Sequence, residues 1–215
     1  GGLYAAARGV FGEEVARRLR HEAALAQVPG LSRGGEVRIA VDGAELATDL
    51  YFPDGPREGL ATILLRLPYG KRRYGPVARW VGEFVPRRYA VAVQDMRGRW
   101  ASTGTFAPYP DAAADGVATL DWIAAQDWSN GKVGTIGCSA LGEAQVILAA
   151  ERHPAHAAAI PMAAAGAIGT AGGRYGFFGF YEGGVPRLSS AFGWFVQEGG
   201  KTPGRMGGPE VDVGA

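Results

Sequence analysis

The sequence is poor in the residues that mark several common functions. Its 215 positions hold one cysteine, Cys138, so no internal disulfide can form, and the case that paired cysteines make for an oxidising compartment is missing. Basic and acidic residues nearly cancel at 22 against 21, which leaves no charge excess to favour nucleic acid or an anionic membrane surface. No apolar run approaches the roughly 18 residues that a membrane span needs. Nothing after Gly1 combines a basic region, an apolar run and a cleavage site, so an export signal is either absent or already removed, and the cytoplasm is favoured over an exported location. No metal-ligand cluster and no cofactor motif is read. Histidine is scarce too, with only His21, His153 and His156.

What is present suits a soluble globular chain, at 47% hydrophobic and 20% charged residues. Residues 10–27 carry Phe11, Val15 and Leu19 at four-residue spacing among Glu and Arg, which predicts an amphipathic lead-in helix ending near Pro29 and Gly30. Two alternating segments, 36–41 and 46–52, flank Asp42-Gly43 and predict a hairpin. From Ala61 the pattern changes to short apolar runs at 61–67, 89–94, 132–137 and 157–162, separated by helical spacing over 75–87, 112–126 and 141–153. Strands buried on both faces and joined by crossover helices read this way, so a mostly parallel α/β sheet is expected. Such sheets bind ligands beyond the carboxyl ends of their strands, which directs attention to Pro68-Tyr69, Asp95 onward and Cys138-Ser139.

Ser139 stands where an apolar strand turns into a helix, flanked by Gly137 and Gly142. This is the context of a nucleophile elbow, in which small neighbours let strand and helix approach and the helix amino terminus favours a developing oxyanion. The Ala140 backbone N–H, directly after the serine, is the expected first oxyanion donor. The spacing is G-x-S-x-x-G, because Leu141 takes the place of the usual second glycine. A serine that merely caps the helix is the competing reading.

Ordered motifs resolve much of this. DG-AELATDLYFP (from Asp42), LLRLPYGK (from Leu64), YAVAVQDMRGRWASTGTF (from Tyr89), DGVATLDWIAAQDWSNGKVGTIGCSALG (from Asp115) and AIPMAAA (from Ala159) together resemble the CocE/NonD hydrolases, the group of cocaine esterase and the X-Pro dipeptidyl-peptidases. The W-x-x-x-Q-x-W-S-N-G stretch from Trp122 to Gly131 is the most specific of them. The resemblance implies the α/β-hydrolase fold with Ser139 as nucleophile, in a family turn G-x-S-Y-x-G where Ala140 replaces the tyrosine. It implies that the Tyr69 hydroxyl is the second oxyanion donor, against the alternative of a core tyrosine. Gln94 matches a position close to the bound acyl group, and Phe180 and Trp194 match aromatic residues facing substrate. Asp95 and Arg97 are expected to brace their loop as an ion pair, and Trp122 and Trp128 to pack structurally.

The expected base and acid of a Ser-Asp-His triad should follow Ser139. His153 and His156 lie beyond a helix of about twelve residues rising about 1.5 Å each, at the far edge of the sheet, and His21 is in the lead-in helix. The late acids Glu182, Glu198, Glu210 and Asp212 precede no histidine. By the resemblance a helical cap starts near Tyr181, before the triad acid and base and a β-sandwich. The expected organisation is a lead-in helix (1–33), an incomplete hydrolase core (34–165) and a Gly-rich start of the cap (166–215). The chain is then a piece of a longer polypeptide, or is completed by another chain or a second copy, or is a shortened relative. Two functions follow: a serine hydrolase acting on small esters, amides or short peptides through an acyl-enzyme, or a non-catalytic remnant that binds small acyl compounds or a protein partner.

Overall fold

A computed structural model of the chain describes residues 2–106, 110–164, 169–171, 174–176, 181–182, 185–187 and 194. Helix α1 (Gly2–Leu25) leads into a hairpin of β1 (Leu31–Val41) and β2 (Ala44–Pro53). Val41 pairs with Ala44, so Asp42-Gly43 is the two-residue loop that the hairpin chemistry predicts. The parallel strands are β3 (Leu60–Leu67), β4 (Ala90–Asp95), β5 (Ser129–Cys138) and β6 (His156–Met162). Their crossover helices are α2 (Pro76–Phe84), α3 (Ala112–Ala124) and α4 (Ala140–Ala150). Each lies within a few residues of the span read from the sequence.

The six strands form one sheet in the order β1-β2-β4-β3-β5-β6, with β1 and β4 antiparallel to β2 and the other pairs parallel. Period-2 alternation divides the apolar side chains between two cores. Ile63, Leu65, Leu67, Val91 and Val93 pack with Val77 and Val81 of α2, while Leu64, Ala90 and Ala92 pack with Leu120 and Ile123 of α3 and Leu148 of α4. The chain therefore crosses from β4, on one side of β3, to β5 on the other. Open α/β sheets form their ligand crevices at such a switch point, here the carboxyl ends of β3 and β5.

Two expectations are corrected. α1 contains a non-helical residue, Gly12 (φ 80°, ψ 169°), which resets the helical phase; Val15 and Leu19 are exposed, and over residues 12–25 the buried side chains are those of Ala16, His21 and Leu25. Asp95 and Arg97 do not pair with each other. Arg97 turns to Asp115 of α3, and Asp95 turns to Lys71 beyond β3. In the Gly-rich region, Gly169–Ala171 pairs with Arg174–Gly176 and Tyr181–Glu182 with Val185–Pro186 as short antiparallel ribbons, and Trp194 is helical. Among the described strands β6 lies at the sheet edge, and its middle residues are exposed, Ile160 at 51%.

Candidate active site

Ser139 is held at φ 60°, ψ −127°, and its side chain makes no capping hydrogen bond to α4. An N-cap serine has β-region dihedrals and an oxygen that accepts from the helix, so the capping role does not describe this residue. A non-glycine residue in this region costs on the order of 1–3 kcal/mol and persists only where the surroundings enforce it. The enforcement is visible. The Ser139 N–H donates to the Met162 carbonyl at 2.9 Å, and its own carbonyl accepts from the Glu143 N–H at 2.9 Å. The flanking glycines are required by contact: a Cβ on Gly137 would stand 2.3 Å from the Leu141 Cβ, and one on Gly142 would stand 2.8 Å from the Met162 oxygen.

Across from the serine, the Tyr69 hydroxyl lies 3.4 Å from Ser139 Oγ. Tyr69 sits two residues past β3, and its turn is pinned from several sides. The Pro68 carbonyl accepts from Arg99 Nε and Trp100 Nε1, both at 2.9 Å. The Lys71 N–H donates to Asp95 Oδ1 at 2.8 Å, and the Met96 N–H to the Leu67 carbonyl at 3.0 Å. Lys71, only 2% exposed, reaches Glu36 at 2.9 Å and Asp95 at 3.3 Å through Nζ. Burial pushes the Asp95 carboxyl above its ordinary pKa against the opposing pull of Lys71.

Aromatic rings line the same end of the sheet. The Tyr69 ring packs 5.2 Å from Tyr74 and 6.5 Å from Trp194, and Trp194 stacks on Phe106 at 6.1 Å. Burial, with the Tyr69 phenol and the Cys138 thiol adding to it, raises the Tyr74 phenol. Sequence reasoning missed Tyr74 and Phe106. Tyr74 follows Tyr69 by five residues, but nothing local shows that it folds back on Tyr69.

The structure thus brings together Ser139, Ala140, Tyr69 and Trp194. It does not bring Gln94 to solvent. Gln94 is fully buried; its Nε2 donates to Thr48 and Thr119 at 3.0 Å each, and its Oε1 accepts from Arg66 Nε at 3.1 Å. That amide braces β2, β3, β4 and α3 beneath the site, and its acyl-facing assignment is withdrawn. Phe180 lies outside the described residues.

The sequence pattern of the X-Pro dipeptidyl-peptidase (S15) family matches residues 42–210. The chain belongs to that family. The cocaine esterase of Rhodococcus sp. (strain MB1 Bresler) is 44% identical over 110 residues, which are 48% of this chain and 18% of the esterase. An α-amino acid ester hydrolase structure superposes with a TM-score of 0.62 at 27% identity, over 82% of this chain and 31% of that one. A CocE/NonD family hydrolase from Staphylococcus aureus gives 0.58 at 25% identity, over 80% and 34%. The chain therefore spans about a third or less of the length of these relatives.

The histidines of this S15-family chain lie away from the serine. His153 Nε2 lies 3.0 Å from Asp121, and His156 Nε2 lies 2.8 Å from the Thr135 hydroxyl. His156 pairs with Val133 at the start of β6, whereas Ser139 follows the end of β5, roughly 20 Å away along the strands at about 3.3 Å per residue. His21 is 4% exposed under α1. Two clefts, of about 260 Å³ behind the Tyr69 turn and about 300 Å³ between α1 and the hairpin, are lined by charged residues and do not include Ser139. The elbow geometry, rather than cavity size, marks the site. No helix among the described residues is long and apolar enough to cross a membrane.

Proposed function

We propose that this chain carries the nucleophile and oxyanion half of a serine hydrolase acting on ester or amide acyl bonds. The supporting observation is Ser139 in its strained turn with the Tyr69 hydroxyl 3.4 Å from its Oγ. In this reading Ser139 Oγ attacks the acyl carbonyl and the carbonyl oxygen becomes an oxyanion. The Tyr69 hydroxyl and the Ala140 N–H, which at the first position of α4 has no intrahelical acceptor, donate to it. Collapse expels the alcohol or amine and leaves an acyl-enzyme, which water then releases. The proton from Ser139 goes to a base outside the described residues. Trp194, against Tyr69 and Phe106, forms an apolar wall for the acyl group. The division into lead-in helix (1–33), hydrolase core (34–165) and Gly-rich cap start (166–215) belongs to the same proposal.

A fluorophosphonate probe tests it on the full-length polypeptide. Covalent labelling that disappears in Ser139→Ala is expected; a folded protein that takes no label would overturn the proposal. The placement of all three histidines away from Ser139 favours a second reading, a remnant that binds acyl compounds without turnover. A histidine and an aspartate in hydrolase context in the coding sequence after Ala215 would remove it.

A further inference from the structure

Gln145 lies in the second turn of α4, six residues after Ser139, and is 4% exposed. A buried primary amide must place two N–H donors and an oxygen acceptor. Here all three serve the elbow. Nε2 donates to the Gly137 carbonyl at 3.3 Å and to the Leu141 carbonyl at 3.1 Å, while Oε1 accepts from the Ile160 N–H at 3.0 Å. Gly137 and Leu141 are the residues two before and two after Ser139. Ile160 is two residues before Met162, whose carbonyl takes the Ser139 N–H.

One side chain therefore ties the incoming strand, the outgoing helix and the neighbouring strand around a single unfavourable residue. We propose that Gln145 is a positioning residue that keeps Ser139 in its left-handed conformation. The inference rests on the reading of Ser139 as nucleophile. Filling the space alone does not require an amide, since an apolar side chain of similar volume suits a core helix as well. The amide is distinguished by reaching both arms of the turn at once. Without it, the backbone can relax toward ordinary dihedrals, which swings Oγ away from the Tyr69 hydroxyl.

The test compares Gln145→Met and Gln145→Glu with wild type in the full-length polypeptide, at a temperature where circular dichroism shows all three folded. The methionine fills the volume without hydrogen bonds. The glutamate keeps the shape and the acceptor for Ile160, but when ionised it sets oxygens against two carbonyls. For Gln145→Met we expect fluorophosphonate inactivation and kcat on a p-nitrophenyl ester to fall about 10- to 100-fold with KM within about twofold, the loss typical of a nucleophile displaced by a fraction of an ångström. For Gln145→Glu the deficit relative to wild type should shrink as pH falls, because the protonated carboxyl regains one donor; this ratio carries the test if the methionine variant does not fold. Folded variants that label at the wild-type rate, or that lose only in KM, overturn the inference while leaving the nucleophile assignment intact. A wild type that takes no label overturns both.

Discussion

Replacing Tyr69 by Phe separates the role of its hydroxyl from that of its ring. The ring contacts with Tyr74 at 5.2 Å and Trp194 at 6.5 Å survive the change. In the resting site the hydroxyl has a 3.4 Å contact with Ser139, long for an O–H···O bond, so its loss should cost no more than about 1 kcal/mol of stability. For a chain of this size that is a melting shift of about 2–4 °C. Under the proposed mechanism the same hydroxyl faces an oxyanion in the transition state, and removing one such donor costs about 2.7–4 kcal/mol, or roughly 10²- to 10³-fold in kcat. The interaction is stronger in the transition state than in the ground state, so KM should stay near its wild-type value. Stopped-flow measurement of acyl-enzyme formation with a p-nitrophenyl ester, on the full-length polypeptide, reads the effect directly. A rate within about threefold of wild type, or a loss appearing in KM or in the melting temperature instead, would refute the assignment of Tyr69 as an oxyanion donor.

Two further outcomes follow from the buried charges. Asp95→Leu removes a partner of Lys71, which is 2% exposed and retains Glu36 at 2.9 Å, so we expect a destabilisation of about 3 kcal/mol in denaturant titration, at the low end for a broken buried pair; a change under about 1 kcal/mol would contradict the pinning of the Tyr69 turn. Both His21 ring nitrogens are buried without a hydrogen-bond partner among the described residues, and burial holds its pKa below the ordinary value against the pulls of Glu22 and Asp49. The unfolded chain then binds the extra proton first as pH falls below about 6.5, so stability declines on acidification. His21→Phe should lose less stability than wild type between pH 7.5 and 5.5, and equal losses would sink this account.

The sheet was legible because its signals are local. Continuous apolar runs mark β3 to β6, and Asp42-Gly43 marks the hairpin. The elbow was legible for the same reason, since strand, small turn and helix are contiguous around Ser139. What escaped depends on partners distant in sequence. Gln94 was placed near the acyl group by the family resemblance alone; its actual partners, Thr48, Arg66 and Thr119, come from three other elements. Arg97 found Asp115 on α3 rather than its neighbour Asp95. The α1 face was misread because a period counted across Gly12 assumes a helix that the backbone does not continue.

The two groups facing each other across the site follow the ends of strands that are hydrogen-bonded neighbours. Leu64 pairs with Thr135, and counting along that register brings Tyr69 and Ser139 to the same end of adjacent strands. The spacing of about 4.8 Å between paired strands thus acts as a ruler built from the backbone. Phenol and serine are gauged by the ladder itself, and that gauge is set once the sheet closes, whatever later supplies the proton acceptor. Changes in the surrounding loops can then accumulate without resetting that distance.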